Sequence, residues 1–138
     1  MKSRVLYLLD TDICIYTIKK QLPSVVERVK RADVETICVS SVTVAELEYG
    51  LQKSKSRQAS RESLLRFLVP FQIIDFTAAD ACEYGILRAQ LEAEGKVIGP
   101  YDMQIAAQAI ARHLTLVTNN TREYARIPHL KIENWVQE

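Results

Sequence analysis

The chain has 138 residues, 48% of them apolar and 25% charged, with four glycines and four prolines, which excludes a disordered chain and suffices for one domain with its own core. Its formal net charge of +1 neither demands nor excludes nucleic acid, because a near-neutral total can hide a local basic face. The early apolar stretch is far shorter than a membrane span and no signal-peptide pattern is present, so a cytoplasmic protein with a single domain over residues 1–138 is expected.

The first element is the apolar run VLYLL, residues 5–9, bounded by polar residues as a strand buried on both faces would be. It ends in Asp10-Thr11-Asp12, where an open α/β sheet keeps its ligands, although any of the three can simply cap the helix that follows. ICIYTIKK reads as a short helix, and Pro23 opens another, PSVVERVKRA, at the first-turn position that proline tolerates. TICVS, residues 36–40, is the second strand, and a helix follows from about Thr43. KSKSRQASRES reads as a turn or helix start, with RESLLRFLVPF helical until Pro70.

FQIIDF is the third strand, after which Thr77 caps a long helix ended by Gly95. On that helix Ala78, Ala81, Cys82, Gly85, Ile86 and Ala89 recur at three and four, an apolar stripe expected to pack closely. A further helix begins near Pro100, TLVT is the fourth strand, REYARIP a turn of helix and LKIENW a final edge strand. Strands alternating with helices imply an α/β fold: a three-layer α/β/α sandwich with a mostly parallel sheet, whose strand ends gather polar residues along one edge.

Cys14, Cys38 and Cys82 are odd in number and widely spaced in apolar surroundings, as reduced core thiols would be. With His113 and His129 the only histidines, a zinc site and a His-dependent nucleophilic triad are both disfavoured. A local basic face has candidates in Lys53, Lys55, Arg57, Arg61 and Arg66, with Arg28, Lys30 and Arg31, though such runs also make ordinary solvated helix surface.

Three acids stand near strand ends or helix starts: Asp10, Glu46 and Asp102. Glu46 lies three residues after Thr43, the spacing of a capping box, and Asp102 suits a helix N-terminus electrostatically. Asp102 nevertheless shares a helical face with Ile105, Ala106, Ala109 and Ile110, so it points toward the sheet and needs a partner there. Periodicity alone does not choose between Glu46 and Glu48. Carboxylates about 4 Å apart repel by roughly 4 kcal/mol at an effective dielectric near 20, so a cation or a proton must intervene. Hard oxygen donors without His or Cys point to Mg²⁺ or Mn²⁺, and so to metal-dependent hydrolysis of a phosphate ester.

The segments LLDTDICIY, VSSVTVAELEYG, GPYDMQIAAQA and LVTNNTREYARIPHLKIENW, in this order and spacing, resemble the PIN-domain ribonucleases and specifically the VapC toxins of type II toxin–antitoxin systems. The resemblance implies a metal-dependent endoribonuclease site at Asp10, Glu46 and Asp102, and it prefers Glu46 to Glu48. It also implies an RNA substrate such as a tRNA, a cognate antitoxin and a homodimer, with no membrane partner. Where many relatives place a fourth Asp, this chain has Asn119 and Asn120, with Glu123 three residues after Asn120; less charge is then available to a second metal. Thr11 and Thr118 are expected to orient the carboxylates, with Asn120 and Glu123 as further supporting residues. Leu51, Leu64, Leu65 and Phe67 are candidates for an apolar groove that takes the antitoxin.

Two rivals remain. Asp10-Thr11-Asp12 also resembles the haloacid-dehalogenase phosphatases, with Asp10 as nucleophile and Asp12 as acid/base, but Cys14 departs from that pattern and no later strand end carries an acidic pair. Alternatively the acids are only caps and the chain is a non-catalytic binding module.

Overall fold

The computed structural model describes residues 4–137, so the domain limits expected at 1 and 138 lie outside the described residues. Five short strands, β1 (Tyr7–Leu9), β2 (Ile37–Ser40), β3 (Gln72–Ile74), β4 (Thr115–Val117) and β5 (Lys131–Glu133), form one sheet in the order β3-β2-β1-β4-β5. Every pairing is parallel, with Leu8 opposite Cys38 on one side and Leu116 on the other. The helices are α1 (Thr11–Ile18), α2 (Pro23–Arg31), α3 (Ser41–Gln52), α4 (Arg57–Leu68), α5 (Ala78–Ala93), α6 (Pro100–Ala111) and α7 (Thr121–Tyr124).

Strand alternation divides the core in two. Leu8, Cys38, Ile74 and Leu116 face α5 and α6, meeting Leu87, Leu91, Ile105 and Ala109. Leu9, Ile37, Val39 and Val117 face α1 to α4, meeting Ile13, Val25, Leu47 and Leu64. Trp135 seals this second layer: it is buried, meets Tyr7 edge-on at 5.3 Å, and carries the Arg28 guanidinium 4.7 Å above its ring. Full burial of each such Leu or Ile is worth roughly 1.5–3 kcal/mol, which is how three- and four-residue strands stay assembled. The expected α/β/α sandwich with a parallel sheet is therefore what forms. No helix among the described residues is long and apolar enough to cross a membrane.

Three expectations change. The α5 stripe of Ala78, Ala81, Cys82, Gly85, Ile86 and Ala89 is exposed rather than packed; the face turned inward is Asp80, Leu87 and Leu91. Asp80 can enter the core because it closes a capping box with Thr77 and accepts from Arg112 at 3.1 Å. Burial alone would raise its pKa, but the Arg112 and Thr77 hydrogen bonds outweigh that and lower it. Cys82 is consequently exposed, whereas Cys14 and Cys38 are buried, and all three are free thiols. Finally, α3 starts two residues earlier than expected: Ser40 is its N-cap, accepting from the Val42 N–H at 3.0 Å. Thr43 then lies within the helix and caps nothing, so the capping box assigned to Thr43 and Glu46 does not exist.

Of the expected basic face, Arg61 is committed to a bidentate pair with Glu48 at 2.6 and 2.7 Å, and Arg28 to Trp135 and Glu133. Lys30, Arg31, Lys53, Lys55, Arg57 and Arg66 are exposed.

Candidate metal centre

Because β1 runs parallel to both its neighbours, the chain leaves the sheet between the ends of β2 and β4, and Asp10 is the first residue out. Its backbone N–H still donates to the Val117 carbonyl at 2.9 Å, which pins the Cα, and its side chain is 4% exposed. One carboxylate oxygen accepts from the Thr11 N–H at 2.9 Å as the N-cap of α1. The other accepts from the Thr118 hydroxyl at 2.8 Å, across the gap from β4. Capping and site are thus the same carboxylate used twice.

Thr11 reaches the other way as well. Its hydroxyl donates to Glu46 Oε1 at 2.8 Å and lies 3.0 Å from the hydroxyl of Thr43, so a single residue ties β1's end to α3. Glu46, released from capping by the earlier start of α3, turns toward the acids, while Glu48 turns to Arg61. Asp102, in the first turn of α6, is half-buried, and its neighbours Ile105, Ala106 and Ala109 are fully buried against the sheet, as periodicity required. Asn120 donates from its side chain to Glu123 at 2.8 Å and from its backbone to the Thr118 hydroxyl at 2.9 Å.

The electrostatics record how close these groups are. Burial pushes the Asp10 carboxyl up to about 7, with the charges of Asp12 and Asp102 adding to it against the hydrogen bonds from Thr118 and Thr11. Burial also raises Asp102, helped by Glu123, Glu46 and Asp12 and opposed by the nearby Tyr124 hydroxyl. The largest charge influences on both carboxyls are therefore acidic. Among the described residues, no three His, Cys, Asp or Glu side chains close to direct-ligand distance of one point. The acids share a pocket without collapsing onto one position, as mutually repelling groups should.

Two residues of the pocket were not foreseen as part of it. Asp12 accepts from the Ile13 N–H at 2.7 Å and from the Asn119 N–H at 3.0 Å, so it anchors the loop after β4 to α1 and, through burial, has a raised pKa. With a backbone donor on each oxygen it is held as an anchor between α1 and the loop after β4. Tyr124 is 1% exposed, and its hydroxyl lies near enough to Asp10 and Asp102 to interact with both carboxyls without closing a well-formed hydrogen bond to either. Asp12 was noted at the strand end, as a cap or as the rival's acid/base, but not as a member of this site, and Tyr124 sits in a four-residue helix too short to show a period.

Beside the acids, α1, α3 and α4 enclose a groove of about 680 Å³ lined by Ile15, Ile18, Leu47, Leu51 and Leu64, with Glu46, Lys19 and Lys53 also on its wall. Of the residues expected there, Leu51 and Leu64 are present, Phe67 is buried against Phe71, and Leu65 is exposed outside it.

The chain has close counterparts in sequence and fold. Residues 7–130 match the PIN domain. The chain is 46% identical to Ribonuclease VapC2 of Rickettsia felis over 132 residues, covering 95% of this chain and 98% of that one. It is 41% identical to the tRNA(fMet)-specific endonuclease VapC of Shigella flexneri, covering 94% and 97%. A solved structure of DNA-bound VapBC from Salmonella typhimurium superposes with a TM-score of 0.90 at 37% identity, covering 95% and 98%. Matched along nearly its whole length in both sequence and fold, the chain belongs to the PIN-domain family, among the VapC ribonucleases.

Proposed function

We propose that Asp10, Glu46 and Asp102 hold a divalent cation, Mg²⁺ or Mn²⁺, with which this ribonuclease hydrolyses a phosphodiester bond of a structured RNA, as the cytoplasmic toxin of a toxin–antitoxin pair. The observation that supports this most is the convergence of acids from the end of β1, from α3 and from α6: Thr11 links Glu46 to the residue after Asp10, and the charges acting on Asp10 and Asp102 all come from other acids. The donor set fits: it is hard oxygen with no His or Cys, and Mg²⁺ keeps several waters rather than demanding three carboxylates at direct distance. When bound, such an ion lowers the pKa of a water and offsets the charge that builds on the phosphodiester.

The chain's own residues do the positioning. Thr118 and Thr11 fix the carboxylates of Asp10 and Glu46, and Asp12 anchors the loop carrying Asn119 and Asn120. Lys19 and Lys53, on the wall of the adjoining groove, supply positive charge for the phosphates that the acids would repel. Since one relative is named for tRNA(fMet) cleavage, a tRNA is the substrate class to test first. The full chain, freed of antitoxin, is expected to cut tRNA at a defined position only with Mg²⁺ or Mn²⁺, and to stop when the metal is chelated. Cleavage indifferent to chelation, or turnover of an aryl phosphate with RNA left intact, would refute the reading.

The antitoxin's place is the groove between α1, α3 and α4, where an apolar floor of Ile15, Ile18, Leu47, Leu51 and Leu64 is joined by polar residues including Glu46, so that an amphipathic helix can lie in it and present a basic side chain to the acids. Gly50 lines this groove, and a Cβ there would meet nothing within 4 Å. Gly50→Gln should therefore leave the thermal midpoint equal or higher, since glycine is the weaker helix former, while weakening antitoxin binding about 10-fold. Unaltered antitoxin affinity, measured by calorimetry, would move the docking site elsewhere.

A further inference from the structure

The Tyr124 phenol is the one buried polar group at the acidic pocket left without a partner among the described residues. Its ring packs in the core layer beneath α5 and α6, where apolar contacts would serve equally well without an oxygen. The hydroxyl instead stands beside Asp10 and Asp102, two carboxyls raised first by burial and then by neighbouring acids. A phenol is protonated at neutral pH, so the hydroxyl is able to donate. Buried hydroxyls without partners are uncommon in native proteins, and one aimed into a polar pocket is accounted for by a ligand or solvent that belongs there. The other unpartnered side-chain atoms, Gln108 Oε1 and Arg112 Nε, belong to the Asp80 cluster farther along α6 and do not adjoin the acids.

We infer that Tyr124 is a positioning residue of the metal centre: its phenol donates to the solvent held between Asp10 and Asp102 and so sets the arrangement in which the loaded site works. This rests on the metal-dependent reading above. The orphan status of the hydroxyl has a measurable corollary: removing it should not destabilise the metal-free chain.

Tyr124→Phe deletes one oxygen and keeps the ring. The expected result is Mn²⁺ affinity weakened about 10-fold by calorimetry, kcat for tRNA cleavage lowered about 10–100-fold with KM within twofold, and a metal-free thermal midpoint equal to or above that of the wild type. A role in packing alone, which the retained ring preserves, would leave Mn²⁺ affinity unchanged. Mn²⁺ affinity within twofold of wild type overturns the inference, whatever happens to the rate. In the wild type itself, Mn²⁺ should produce a tyrosine ultraviolet difference spectrum; its absence also overturns the inference, independently of whether the variant folds. Failure of the wild type to bind Mn²⁺ or to cut RNA would instead remove the functional reading on which this rests, and the two failures are told apart by the wild-type arm.

Discussion

Asp10→Asn is expected to lower RNA cleavage by more than about 100-fold, the upper end of what losing an outer-shell partner costs a metal site, because Asp10 is assigned as a ligand and not as its support. The amide keeps the shape: its oxygen can accept from the Thr11 N–H while its NH2 donates to the Thr118 hydroxyl oxygen, which turns its own proton elsewhere, so the α1 N-cap and the link to β4 survive. What disappears is the charge. Glu46→Gln and Asp102→Asn should fall comparably, and the triple variant little further, since groups that act as one unit are not additive. Glu48→Gln is the control: it has its own partner in Arg61, both side chains are about 40% exposed, and loss of that surface pair should leave cleavage within about twofold of wild type. Retention of cleavage in all three acid variants, or an equal loss in Glu48→Gln, would displace the proposed centre. Plating assays give the same comparison in cells, with the intact chain toxic and Asp10→Asn harmless.

Much of this was legible from residue order. The parallel sheet follows from apolar runs separated by helical periods, and the depth of Asp102 follows from its phase with Ile105, Ala106 and Ala109. Where the reading failed, a local rule competed with a tertiary contact. On α5, the stripe of small and apolar side chains outnumbers the face that is buried, yet Asp80 is the residue that turns inward because Arg112, some thirty positions away, supplies its counter-charge. Thr43 and Glu46 have capping-box spacing, but Ser40 takes the cap first, which frees Thr43 and Glu46 for Thr11. Glu46 and Glu48 are indistinguishable on a helical wheel; the partners that separate them, Thr11 and Arg61, come from other elements. Asp12 and Tyr124 enter the pocket only once the loop after β4 folds over α1, and no sequence period encodes that closure.

Burial of these acids, reinforced by their crowding, makes a second large effect: without metal, the protein should lose stability as pH rises through neutrality, opposite to the usual carboxylate pattern. The Asp10 carboxyl has a folded pKa of about 7 against 3.8 for an ordinary Asp, so between those values the native chain binds a proton that the unfolded chain has released. Stability then falls with rising pH. Its contribution is complete below about pH 4 and gone above about pH 7, a difference on the order of 4 kcal/mol for this one group. Asp12 and Asp102 are shifted in the same direction and add to the trend, whereas Asp80, lowered overall, favours folding above its unfolded pKa and is lost only in stronger acid. Thermal midpoints measured in chelator should therefore peak in mildly acidic buffer and decline toward pH 8, and Asp10→Asn should flatten the decline and lie above wild type at pH 8. A divalent cation binds the ionised acids, so it competes with the proton and restores what deprotonation removes. At a hundred times its dissociation constant it contributes about 2.7 kcal/mol, and that increment should be much larger at pH 8 than at pH 5, where protons already occupy the pocket. Midpoints that climb with pH in chelator, or a Mg²⁺ increment equal at pH 5 and pH 8, would mean that the acids are not confined together and that their repulsion is not what the metal relieves.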